Sequence, residues 1–295
     1  MGDKMQSKKY TIIEPASFKL DGGAMFGIIP KPLWNKVHPS DDENRIDLAL
    51  RLVLIQTNGK NILIDTGIGD YHGDKFDERF GITKGESPLE MALKEINLTA
   101  SDITDLIVSH LHFDHIGGLT KIENGKMIST LPNATIHLHE KHFEYSKNPT
   151  DRDSGSFHIQ YFLPVLEEAI KNNKIHFLKG IEGEIIEGIK FKCSMGHTPY
   201  LVHAYDEKFI YLADLIPTSN HVHIPWVMGY DISPGVTTAD KKEFLNFIFE
   251  KNLTVIYEHD PKYFGSKIIK DTKNNYICGE KFNYSPQKAY SIFNS

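Results

Sequence analysis

Cysteine is scarce in this chain: Cys193 and Cys278 are the two among 295 residues, far apart and outside any CxxC pair. That excludes a disulfide framework and suits a reducing compartment, so a cytoplasmic location is expected. Blocks of lysine or arginine are also missing. With a formal charge of −6 and a pI near 6.2, the composition argues against a nucleic-acid partner. No run of about 18 apolar residues occurs, so no membrane-spanning helix is expected. The opening stretch, MGDKMQSKKYTIIEPASF, lacks the apolar core of a signal peptide, and its Met-Gly start does not complete a myristoylation pattern.

What is present is ample material for a core: 40% hydrophobic and 11% aromatic residues. Short β-branched runs recur, among them YTIIEP, LALRLVLIQT, NILIDTG, DLIVSH, ATIHLHE, KIHFLKG, EIIEGIKFKCS, YLVHAYD, KFIYLAD and LTVIYEHD. Helical stretches lie between them. SPLEMALKEIN carries Ser87 as an expected N-cap and Pro88 at the first helical position. QYFLPVLEEAIKNN is a second helix. TTADKKEFLNFIFEKN is a third, with threonine caps and Phe244, Leu245, Ile248 and Phe249 on one apolar face. NILIDTG and KFIYLADL are both apolar strands ending on an aspartate, Asp65 and Asp214. This echo predicts one α/β domain over residues 1–295, built of two similar halves with sheets packed together and helices outside. Residues 66–86 show little periodicity and are expected to form a lid or substrate loop.

Histidine is the abundant oddity, with 15 in the chain. The stretch SHLHFDHIGGL, residues 109–119, clusters three of them with an aspartate directly after an apolar run. Such a cluster is costly to bury unless a cation compensates it. In an extended segment residues two apart point the same way, so His110 and His112 can converge on one ion. The following turn, with IGGL as flexible backbone, can direct Asp114 and His115 to a second. His197 in MGHTPY, Asp214 in LADL and His259 in YEHDP are further candidates, each following a strand-like run.

HxHxDH followed by GHTP, a strand-terminal aspartate and a late histidine resembles the metallo-β-lactamase-fold hydrolase superfamily, from about Leu20 to His259. The resemblance implies a four-layer αββα sandwich with a metal site at one edge. It implies that His110, His112 and His197 hold one ion, that Asp114, His115 and His259 hold another, and that Asp214 bridges. Asp65 matches the superfamily's early aspartate, which orients ligands from behind. Histidine and carboxylate donors without cysteine suit zinc and also admit iron, manganese or cobalt. Two such ions about 3.5–4 Å apart would clamp a bridging hydroxide for attack on a carbonyl or phosphoryl centre. Asp114 would steer its proton, making Asp114 and Asp214 the catalytic carboxylates.

Within the superfamily the chain looks closest to the lactonase and organophosphate-hydrolase-like branch. The expected substrate is a small ester, lactone or related molecule, and a homodimer is compatible with this reading. Met25, Phe26, Trp34, His221 and Trp226 are candidates for the substrate pocket. One departure stands out: acyl-homoserine lactonases carry a tyrosine three positions after the bridging aspartate, and here that residue is Pro217. A thioesterase of the glyoxalase II type, or a mononuclear-iron persulfide dioxygenase, is the alternative. The second histidine-rich run, HLHEKH with His137, His139 and His142, lacks the aspartate and is expected to be structural. The same reading applies to His38, His72, His158, His176 and His203, and to a buried Cys193.

Overall fold

The computed structural model describes residues 8–284; the Met-Gly start lies outside them. One sheet contains β1 (Lys9–Asp21), β2 (Arg45–Thr57), β3 (Lys60–Ile64), β4 (Thr83–Lys84) and β5 (Asp105–Ile107). A small separate hairpin follows, β6 (Thr120–Glu123) and β7 (Lys126–Ser129), before β8 (Thr135–His139) and β9 (Ile175–Leu178) complete that sheet. The other sheet is formed by β10 (Glu182–Ile186), β11 (Ile189–Ser194), β12 (Leu201–Tyr205), β13 (Phe209–Tyr211), β14 (Thr254–Ile256), β15 (Tyr263–Lys270) and β16 (Tyr276–Asn283). The helices, in chain order, are α1 (Gly22–Phe26), α2 (Lys31–Trp34), α3 (Asp74–Arg79), α4 (Pro88–Glu95) and α5 (Phe113–Ile116). They continue with α6 (Glu140–Ser146), α7 (Ile159–Lys171) and α8 (Pro234–Lys251).

Alternation along the strands builds the layers. On β2, Val53 and Ile55 face the other sheet and pack with Phe191, Val202, Phe209 and Tyr211. Their neighbours Leu52 and Leu54 point the opposite way, toward Leu93 of α4 and Val165 and Leu166 of α7. On the far side, Phe244, Leu245 and Ile248 of α8 cover Ile210 and Val255. Each such side chain contributes on the order of 1.5–3 kcal/mol by leaving water. The result is helix, sheet, sheet, helix: the αββα sandwich.

Some local expectations are corrected. Ser87 precedes Pro88 but sits in the left-handed region (φ 47°) and makes no capping bond. The third helix starts earlier than its threonines, at Pro234, which has no N–H to leave unpaired at the first turn. Its Phe249 is 40% exposed, because it lies off the buried stripe and pairs with Tyr276 instead. The β15–β16 hairpin extends the second sheet beyond the last strand run expected from the sequence, LTVIYEHD. Residues 66–86 include α3 and β4, and β4 pairs with β1. Phe76 packs edge-on and Phe80 at a tilt against Phe113.

Most pairings are antiparallel, but β3–β5, β5–β8, β8–β9 and β13–β14 run parallel. Parallel neighbours present their carboxyl ends on the same edge, so four loops leave the sandwich together. Those loops carry Asp65, the HxHxDH run, Asp214 and His259. No helix among the described residues is long and apolar enough to cross a membrane.

Candidate metal centre

β5 ends at Ile107, before the motif begins. His110 and His112 therefore converge from the extended turn after the strand, and His112 enters α5 with φ −70° and ψ 154°. α5 is only Phe113–Ile116, enough to swing Asp114 and His115 to the other side. The glycines of IGGL do not serve flexibility as expected. Gly117 has ordinary helical angles (φ −56°), and a Cβ on Gly118 would lie 2.1 Å from the Thr66 carbonyl oxygen. They permit the loop after β3 to close on α5, where the Thr66 N–H donates to the His115 carbonyl at 2.8 Å.

His110 Nε2 and His197 Nε2 stand 3.0 and 3.2 Å from His112 Nδ1. Asp214 Oδ2 is 3.1 Å from His197 Nε2 and 3.7 Å from His110 Nε2. Donors about 2.0–2.1 Å from a tetrahedral zinc are separated by about 3.3 Å, so this set has the span of a metal cage. The other Asp214 oxygen, Oδ1, lies 3.1 Å from His259 Nε2, which is itself 3.6 Å from Asp114 Oδ2. His115 Nε2 is 3.8 Å from Asp114 Oδ2 and 3.6 Å from Asp214 Oδ2. All seven residues are buried. His115 Nε2 and Asp214 Oδ1 have no hydrogen-bond partner, as expected of atoms meant for a cation. The donor set fits divalent metal ions.

The protonation pattern is that of a carboxylate short of cations. Burial opposes a charge on His197 and His259, yet Asp214, with Asp231 beside one and Glu258 beside the other, raises each to about 9. His110 and His112 are pushed far down by burial and by neighbouring imidazoles.

Groups behind the rings fix their orientation. Asp65, at φ 57°, accepts from the Ser109 N–H at 2.7 Å and hydroxyl at 2.5 Å, and meets His115 Nδ1 at 3.1 Å. Asp231 Oδ1 takes His197 Nδ1 at 2.9 Å, and the Ala49 carbonyl takes His259 Nδ1 at 2.8 Å. Glu258 Oε2 also reaches His115 Nδ1, at 2.9 Å. Ser109, Asp231 and Glu258 escaped sequence reasoning. The signal for Ser109 and Glu258 is adjacency to a ligand; Asp231 has none, since the fold alone brings it to His197.

A cavity of about 270 Å³ opens over His112, Asp114, His197, Asp214 and His259. Its wall includes Leu20, Met25, Phe80, Phe113, Met228 and Tyr230, with Arg152 at the rim. Of the pocket candidates, Met25 lies in that wall. Phe26, Trp34, His221 and Trp226 do not. Phe26 is fully buried between Trp34 and His221, with ring centroids 5.5 and 4.8 Å away, and Trp226 meets it edge-on. His221 donates to the Met25 carbonyl at 2.8 Å. Aromatic composition marks a packed stack here, and that stack supports the wall from behind.

Sandwich, cage and cavity together define a metal-dependent hydrolase. The metallo-beta-lactamase superfamily model matches residues 52–259, and the chain belongs to that superfamily. Among curated proteins it is similar to an N-acyl homoserine lactonase from a Bacillus species, 30% identical over 166 residues. That match covers 52% of this chain and 56% of the relative, so the chain spans just over half of the relative's length. Among solved structures it resembles a probable metal-dependent hydrolase from Staphylococcus aureus, with TM-score 0.80 and 28% identity over 94% of this chain and 99% of that one. A dizinc quorum-quenching lactonase, 20% identical with TM-score 0.71 over 96% of both chains, shares the fold.

Proposed function

We propose that this chain hydrolyses a small ester or lactone at a dinuclear metal centre. The observation that carries the reading is Asp214, which lies between the two histidine sets, Oδ2 facing His197, His110 and His115 and Oδ1 facing His259. His110, His112 and His197 would hold one ion, and Asp114, His115 and His259 the other, with Asp214 between them. Bound there, two divalent ions, zinc before iron, manganese or cobalt, would polarise the substrate and supply a bridging hydroxide near neutral pH.

The chain's own groups do the rest. Asp114 presents a carboxylate to the cavity and can take the proton of the attacking water. Leu20, Met25, Phe113 and Met228 exclude water and hold an apolar acyl portion. Pro217 leaves no phenol three residues after Asp214, but Tyr230 brings one into the cavity from another loop. Burial and the charges of Asp21, Asp114 and Asp214 push that phenol up to about 12, so it stays a donor at neutral pH. The lactonase relatives support a lactone as substrate. The second donor set favours this reading over a single-metal persulfide dioxygenase. Elemental analysis, followed by a panel of lactones, aryl esters, thioesters and phosphotriesters, tests it. Two ions and turnover of esters or lactones are expected; one ion at full loading, or turnover of thioesters alone, would sink it.

A further inference from the structure

His115 differs from every other ring in the cage. Its Nδ1 edge meets two buried carboxylates, Glu258 Oε2 at 2.9 Å and Asp65 Oδ2 at 3.1 Å. His110 Nδ1 has only the Ser109 hydroxyl, at 3.0 Å, and His259 Nδ1 only a backbone carbonyl. One imidazole N–H does not require two carboxylates to fix its tautomer. Asp65 is already committed to the N–H and hydroxyl of Ser109. Glu258 is the closer acceptor, and its Oε2 takes one hydroxyl, that of Tyr211 at 2.5 Å. Both carboxylates and the ring are fully buried. Charge at such depth is sustained when a cation lies close by.

We propose that Glu258 is a positioning residue for the ion held by Asp114, His115 and His259. It strengthens His115 as a donor through Nε2 and places added negative charge directly behind that ligand. Glu258 follows β14 in one sheet, and His115 follows β5 in the other. The contact therefore ties the two halves together at an ion site whose histidines come from both sheets. Since His259 is the next residue in the chain, β14 delivers a ligand and the brace for its partner ligand in consecutive positions. The other ion's set contains a single comparable brace, Asp231 on His197.

This assignment rests on the two-ion reading, and the experiment separates the two. Apo wild type, Glu258→Gln and Tyr211→Phe are titrated with zinc against a chromophoric chelator, and cobalt spectra report each site's geometry. Glu258→Gln keeps the shape and removes the charge. It should weaken uptake of one ion by about 10–100-fold and leave the other within about twofold. Tyr211→Phe leaves the carboxylate on His115 and should retain both ions. Two ions bound at wild-type affinity in Glu258→Gln overturns the assignment. So does equal weakening of both ions, or an equal loss in Tyr211→Phe, which would make the cluster a packing element. Three ions in wild type falling to two in Glu258→Gln would also overturn it, placing a cation between Asp65, His115 and Glu258. Wild type that binds one ion overturns the two-ion reading and the assignment together.

Discussion

The turn after β5 and the run from β8 into α6 are equally rich in histidine, and they leave neighbouring parallel strands of one sheet. Their rings nevertheless have different fates. His137 is held by Asp105 at 2.9 Å and by His176 at 3.0 Å. His139 donates to the Gly180 carbonyl at 2.7 Å and stacks on Tyr200. His142 accepts the Leu111 N–H at 2.9 Å and donates to the Pro199 carbonyl at 2.8 Å. These nitrogens diverge toward separate protein groups. In the β5 turn the nitrogens converge, each ring but His112 keeping one held from behind and one directed at its neighbours. Composition does not distinguish the two runs. Convergence does: His139 Nδ1 is also buried without a partner, but it stands apart from any other donor set.

The largest effect should come from exchanging the members of this pair. His112→Ala removes a donor from the cage and should lower the hydrolytic rate by on the order of a thousandfold or more, with loss of bound metal. His139→Ala should keep its metal and stay within a few-fold of wild type, with a stability cost of about 1–3 kcal/mol for the stranded Gly180 carbonyl. Asp214→Asn, which keeps size and removes charge, belongs with His112→Ala. Metal analysis and steady-state kinetics on the three variants decide the matter. Equal damage from a well-folded His139→Ala would erase the distinction.

The same contrast explains what could be read before the fold. The donor residues were legible because spacing is local: an extended turn puts His110 and His112 on one side whatever surrounds it. The αββα layers were legible because alternation on β2 assigns each side chain to a face. Glu258 and Asp231 were not, because their partners lie far away in the chain and only the sheet edge brings them together. Phe26 and Trp34 misled for a related reason. An aromatic run marks burial, and burial alone does not say which side of a wall a ring occupies.

Ion removal should separate the two regions in a second way, through pH. In the ion-free chain His197 and His259 lie at about 9, above the roughly 6.5 of an unfolded histidine. Their contribution is complete below pH of about 6.5 and is lost as pH rises through 9. His142 has the opposite sign: burial lowers it to about 4, so its contribution is complete above about 6.5 and is lost as pH falls toward 4. Chelated protein should therefore lose melting temperature between pH 7 and about 9.5. Ion-loaded protein should not, because a cation then takes the place of the Nε2 proton on those rings. Identical profiles with and without metal would show that the cage rings do not exchange protons for ions.

The smallest effect expected is also the one that tests how separate the two regions are. His142 belongs to the diverging run, yet its Nε2 accepts the N–H of Leu111, the residue between His110 and His112. Its other nitrogen anchors the Pro199 carbonyl, in the turn that carries His197. His142 thus spans two ligand-bearing loops without entering the cage, and Phe157 packs against it and against His112. His142→Ala should strand a buried N–H and a buried carbonyl, costing about 1–3 kcal/mol for each. The ligands themselves remain, so metal stoichiometry should be unchanged and the rate should fall only several-fold. His142→Gln can restore the two hydrogen bonds in part, and should recover stability before rate. Loss of an ion in His142→Ala at a temperature where the variant is folded would show that the brace from β8 and α6 is part of the metal site. An unchanged rate and melting curve would show that the Leu111 contact places nothing.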